Sequence, residues 1–76
     1  MDHFKVPPTF AELGRAVGKS YHHARRLAQA GVAPTKNFPE GQRIDRPWAN
    51  NYVKNGLTAE EAEQYRRYFA EKHSAA

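Results

Sequence analysis

The densest concentration of side chains with binding chemistry is the run Lys19-Ser20-Tyr21-His22-His23-Ala24-Arg25-Arg26. On a helix, residues 21, 22, 25 and 26 fall on one side, while Ala24, Leu27 and Ala28 turn to the other. Arg matches the two acceptors of a guanine edge with its planar fork, and Tyr and Ser hold a phosphate or a thymine methyl. The chemistry on offer is therefore recognition of a polyanion and its bases. Other chemistries find no support. His22 and His23 are neighbours and point about 100° apart on a helix, so they cannot share a metal as residues at i and i+4 can. His3 and His73 lie near the ends and read as solvated tails. No Ser, His and acid arrangement stands out, since Ser20 reads as a helix cap and the acids gather in the last helix. The five Gly residues are scattered and form no phosphate loop. No catalytic residue, metal or cofactor is expected, and the chain reads as a binding protein rather than an enzyme.

The charge is placed to suit that chemistry. The net charge is +4 with a sequence pI near 9.7. Arg15, Lys19, Arg25, Arg26, Lys36 and Arg43 stand against the single acid Glu40 between residues 15 and 43. In the tail, Glu60, Glu61, Glu63 and Glu71 face Arg66, Arg67 and Lys72, the mixture of a solvated helix. The positive field belongs to the middle of the chain and makes a nucleic acid the natural partner.

The elements that must hold these residues follow from caps and stops. Seventy-six residues make one small domain with a thin core, because many of its hydrophobic residues are Ala. The absence of Cys excludes disulfide staples and fits a reducing, intracellular setting. No apolar run approaches the roughly 20 residues of a membrane span, and the start MDHFKVPP lacks the apolar stretch of a signal peptide. Residues 1–8 form an extended lead-in because of Pro7 and Pro8. Thr9 with Glu12 makes a capping box for a helix over 10–17, stopped by Gly18. Ser20 caps a second helix over 21–30, with Gly31 as its stop. Thr35 to Phe38 and Gln42 to Ile44 are short strands around a tip of Pro39, Glu40 and Gly41. Asp45 caps a third helix with Pro47 in its first turn, ended by Gly56. Thr58 and Glu61 make a second capping box for a last helix over 59 to about 73. Phe10, Trp48 and Phe69 are expected in the core, with Tyr65 and Tyr68 partly exposed.

Two short helices with a tight turn between them, the second opening on polar and basic residues, make the arrangement of a helix-turn-helix. The stretch FAELGRAVGKSYHHARRLAQAGVAP resembles that of MerR-like and phage excisionase-like winged-helix DNA-binding proteins. Such motifs place a small residue inside the first helix, Gly at the turn and aliphatic residues at the crossing. Gly14, Gly18, Leu13, Val17, Ala24 and Leu27 fill those places here. Lys19 departs from the pattern, which commonly has an aliphatic residue there; its stem can cover apolar surface while its ammonium reaches solvent or phosphate.

The resemblance implies a mostly α winged helix-turn-helix of about four helices plus a small β-hairpin wing. Residues 9–56, which the resemblance covers, would be the DNA-binding core; the C-terminal helix over 57–76 lies beyond it and is the candidate contact with a second copy, since one small domain alone binds DNA weakly. Lys19, Ser20, Tyr21, His22, Arg25 and Arg26 would meet double-stranded DNA, with Lys36 and Arg43 of the wing along its backbone. The expected role is sequence-specific binding by a small excisionase-like recombination directionality factor or transcription regulator of a mobile element. Such a protein would be cytoplasmic and nucleoid-associated, bacterial or phage-encoded, and would self-associate on DNA. The alternative is a basic protein-interaction module, an adaptor or inhibitor docking through Tyr65, Tyr68 and Phe69.

Overall fold

A computed structural model describes the backbone of residues 3–74 and the side chains of residues 3–71. The side chains of Lys72 and His73 lie outside those described. The order is α1 (Phe10–Ala16), α2 (Tyr21–Gln29), β1 (Thr35–Phe38), β2 (Gly41–Ile44), α3 (Arg46–Asn55) and α4 (Ala59–Ser74). This is the mostly helical, four-helix layout with a two-stranded antiparallel hairpin, consistent with a helix-turn-helix and wing. Among the described residues, no helix is long and apolar enough to cross a membrane.

Local chemistry sets the boundaries. The Glu12 amide donates to Thr9 Oγ1 at 3.1 Å and the Thr9 amide to Glu12 Oε1 at 2.8 Å, closing the expected capping box of α1. Thr58 and Glu61 repeat it at α4, at 2.9 and 3.1 Å. Asp45 accepts from the Trp48 amide at 3.2 Å and starts α3. Ser20 is a correction: it has the extended backbone of an N-cap, yet its side chain caps nothing. Backbone contact sets the start of α2 instead. A Cβ on Gly14 would lie 2.4 Å from the Ser20 carbonyl oxygen, so α1 meets the entry to α2 at a distance only Gly permits. Gly18, at φ +70°, turns the chain between them.

The hairpin is tighter than expected. Phe38 pairs with Gly41 across a Pro39-Glu40 turn, so Gly41 opens β2 rather than belonging to the tip. Lys36 lies directly opposite Arg43. Like charges so placed repel; here Lys36 pairs with Asp45 at 3.6 Å and Arg43 donates to the Pro7 carbonyl at 3.1 Å.

The buried interior is built from aliphatic side chains, Leu13, Ala24, Leu27, Ala30, Val32, Ala33, Ile44 and Ala49, with Pro8 beside them. Phe10, Trp48 and Phe69 pack around that set half-buried instead of filling it, as do Tyr52, Tyr65 and Tyr68. The aromatics form a collar around the aliphatic core. Trp48 stacks on Tyr52 with ring centres 5.1 Å apart, and its indole donates to Glu61 Oε2 at 2.7 Å, joining α3 to α4. Gln64 of α4 donates to the Ala30 carbonyl at 2.9 Å, satisfying an orphan acceptor at the end of α2. The lead-in is strapped down: Asn50 accepts from the Phe4 amide at 2.7 Å and donates to the Phe4 carbonyl at 3.1 Å. Ile44 donates to the Pro8 carbonyl at 2.9 Å.

Candidate nucleic-acid interface

Because Ala24 and Leu27 are fully buried, the opposite arc of α2 must face solvent. That arc carries Tyr21, His22, Arg25, Arg26 and Gln29, all exposed, with exposed Lys19 and Ser20 in the turn before it. Tyr21 keeps 43% of its surface. Its ring is held between Phe10 at 6.0 Å and His22 at 5.4 Å, so a small aromatic cluster marks the N-terminal end of the face.

Around the helix, at 100° per residue, the arc runs in the order Tyr21, Arg25, Gln29, His22 and Arg26. Arg25 leans toward the hairpin, where it lines a cleft with Thr35 and Gln42. Arg26 leans toward the flank of half-buried His23. Among the described residues, none of Lys19, Arg25 and Arg26 forms an ion pair with a carboxylate. The contrast with α4 is direct: Glu63 takes Arg66 at 2.7 Å and Arg67 at 3.5 Å, which holds its own carboxyl below the usual range. Arg66 and Arg67 are balanced within α4, whereas among the described residues Arg25 and Arg26 of α2 stay open to an outside anion.

The hairpin cations sit differently. Strand alternation puts Lys36, Phe38 and Arg43 on one face and Thr35, Asn37, Gln42 and Ile44 on the other. The second face turns to α2, because Ile44 enters the core and Thr35 and Gln42 line the cleft with Arg25. Lys36 and Arg43 are therefore on the far side of the hairpin from the α2 cations. Lys36 keeps 60% of its side-chain surface despite Asp45. Arg43 is half-buried and holds the lead-in. Adjacency to Ile44 in a strand was a signal for this: if Ile44 points inward, Arg43 points away.

His23, which the sequence marks only as unable to share a metal with His22, is the most constrained histidine among the described side chains. Its Nε2 shares a 2.8 Å hydrogen bond with the Tyr52 hydroxyl, and the two rings stack at 6.3 Å. Burial pushes its pKa down, and the Lys19 and Arg26 cations push it further the same way. Burial pushes the Tyr52 hydroxyl up. Through Tyr52 and Trp48, α2 is keyed to α3 and on to Glu61 of α4.

Among the described residues, no group of three or more His, Cys, Asp and Glu could hold a metal ion. None of the family models, curated proteins or solved structures compared with this chain matches it.

Proposed function

We propose that this chain is a non-enzymatic, sequence-specific double-stranded DNA-binding protein that lays α2 in the major groove. The observation that carries the reading is the exposed arc of α2, where Arg25 and Arg26, with Lys19 before them, have no carboxylate partner among the described residues. Exposed Arg on the outward face of a second helix, held rigidly by a helix crossing behind it, is what base-edge and phosphate contact requires. Ser20, Tyr21 and His22 flank them as phosphate and thymine-methyl contacts. On the hairpin, Lys36 is the better phosphate ligand, since Arg43 is held by the lead-in.

A single module of this size buries about 600–1,000 Å² of its own surface on DNA, so dimers or arrays on repeated sites supply the remaining affinity. That behaviour suits a small excisionase-like directionality factor or transcription regulator of a mobile element, working on bacterial or phage DNA in the cytoplasm. The rival reading, a protein-interaction module using Tyr65, Tyr68 and Phe69, is less favoured because these rings are half-buried against the core.

The test is a pull-down of sheared host DNA by the purified chain, sequenced, beside an Arg25→Ala/Arg26→Ala double variant. Enrichment of a short repeated motif, lost in the variant, is the expected result. Its location at an attachment site or a promoter would separate the two roles. Uniform recovery, the same for both proteins, refutes the proposal.

A further inference from the structure

The cleft between α2 and the hairpin has the chemistry of a base-reading site. It is lined by Phe10, Arg25, Ala28, Gln29, Thr35 and Gln42 and has a volume of about 300 Å³. Arg25, Gln29 and Gln42 are exposed and form its rim, while Phe10, Ala28 and Thr35 are half-buried below them. The rim thus offers one guanidinium and two amides above an apolar floor.

Two features point to a base pair as the occupant. Neither amide has a hydrogen-bond partner among the described residues, so both keep their donors and acceptors for an outside group. The hairpin also turns its cations away from this seam, which leaves neutral hydrogen-bonding groups facing Arg25 and Gln29. A seam built to hold phosphate would show the opposite choice, because a phosphate calls for cations. A glutamine amide matches the N6 donor and N7 acceptor of adenine together, and an apolar floor accepts the thymine methyl that accompanies it. Arg25, one helical turn before Gln29, is left for a neighbouring guanine.

We infer that the α2–hairpin cleft reads an A·T base pair, with Gln29 and Gln42 as specificity-determining residues alongside Arg25. The inference rests on the DNA-binding reading above and assigns part of its sequence preference. Both glutamines are exposed, so replacing them leaves the fold intact, which a thermal melt verifies.

The experiment is selection from a randomised duplex library by the wild-type chain and by Gln29→Ala, Gln42→Ala and Lys36→Ala variants, followed by affinity measurements over a salt series. The expected result is a wild-type motif containing an A·T pair beside a G·C pair. Either glutamine variant weakens the preference at the A·T position by about tenfold or more. The salt slope stays unchanged in both, because no phosphate contact is removed. Lys36→Ala, on the other hairpin face, keeps the motif and lowers the slope. The inference is overturned if both glutamine variants select the wild-type motif at full strength, or if the loss falls only at a G·C position. A wild-type chain that selects no motif refutes the DNA reading itself.

Discussion

Replacing Gly14 by Ala tests whether backbone contact, rather than a side-chain cap, positions α2. The new Cβ would stand 2.4 Å from the Ser20 carbonyl oxygen, 2.7 Å from its carbon and 3.2 Å from the Tyr21 nitrogen. Ordinary contact begins at 3.4 Å, so the entry to α2 must retreat by up to an ångström. No side chain can swing aside to relieve this. The carbonyl involved accepts from the His23 amide at 3.1 Å, and the Lys19 amide donates to the Gly14 carbonyl at 2.7 Å. Overpacking of a tight interior costs about 1–3 kcal/mol, and a clash with backbone belongs at the upper end. Ala gains about 1 kcal/mol over Gly in a helix, which offsets part. A net loss of about 2 kcal/mol remains, and for a domain of this size it lowers Tm by roughly 8–16 °C. The assay is thermal and urea unfolding followed by circular dichroism and Trp48 fluorescence. Gly18→Ala is the comparison: it meets open space and is strained only through its φ of +70°, at a cost of about 1–2 kcal/mol. A Gly14→Ala chain as stable as wild type, or more so, would refute the claim that the crossing needs Gly.

Acid should act in two stages. His23 has a lowered folded pKa, so below about pH 6.5 the unfolded chain takes up a proton before the folded one does, and stability falls as pH drops toward the folded value. His23→Gln flattens that limb in a pH series of urea midpoints; an unaltered limb refutes the assignment. Glu12 and Glu61, both lowered chiefly by the amides they cap, add a second loss below the ordinary carboxylate range. Trp48→Phe removes the indole bond to Glu61 and should cost about 2 kcal/mol; Glu61→Gln in the Trp48→Phe background should then cost less than it does alone, as a double-mutant cycle would report. Asn50→Ala deletes both bonds to Phe4 and should lower stability by about 1–3 kcal/mol in urea unfolding, a neutral result being the refutation.

What the sequence made legible was whatever is encoded within a few residues. Both Thr and Glu capping boxes, the Gly stops at 18, 31 and 56 and the hairpin arise from short-range chemistry, and each is present. The solvent-facing arc of α2 followed from the same periodicity that buries Ala24 and Leu27. Contacts between distant residues left no periodic trace. Nothing about Asn50 marks it as the partner of Phe4, nor Gln64 as that of Ala30, nor His23 as that of Tyr52. Ser20 misled because residue type and backbone position were right for a cap while its side chain makes no such bond. Phe10, Trp48 and Phe69 do pack against the core, as their area suggested, but only half-buried, and residue type alone does not set that depth.

The strap formed by the lead-in also orders events in time. The Gly14–Ser20 approach joins residues six apart, whereas the Phe4–Asn50 pair joins residues 46 apart. Closing the longer loop costs about 2 kcal/mol more in chain entropy, an amount comparable to what two neutral hydrogen bonds return. The strap therefore docks last, onto a helix-turn-helix that is already formed, and it is the first part to release. Amide exchange should register it as a separate opening unit, with the Phe4 and Ile44 amides losing protection well before those of α1 and α2. A chain whose strap is open still presents Arg25 and Arg26, so the excited form and the ground form expose the same arc of α2.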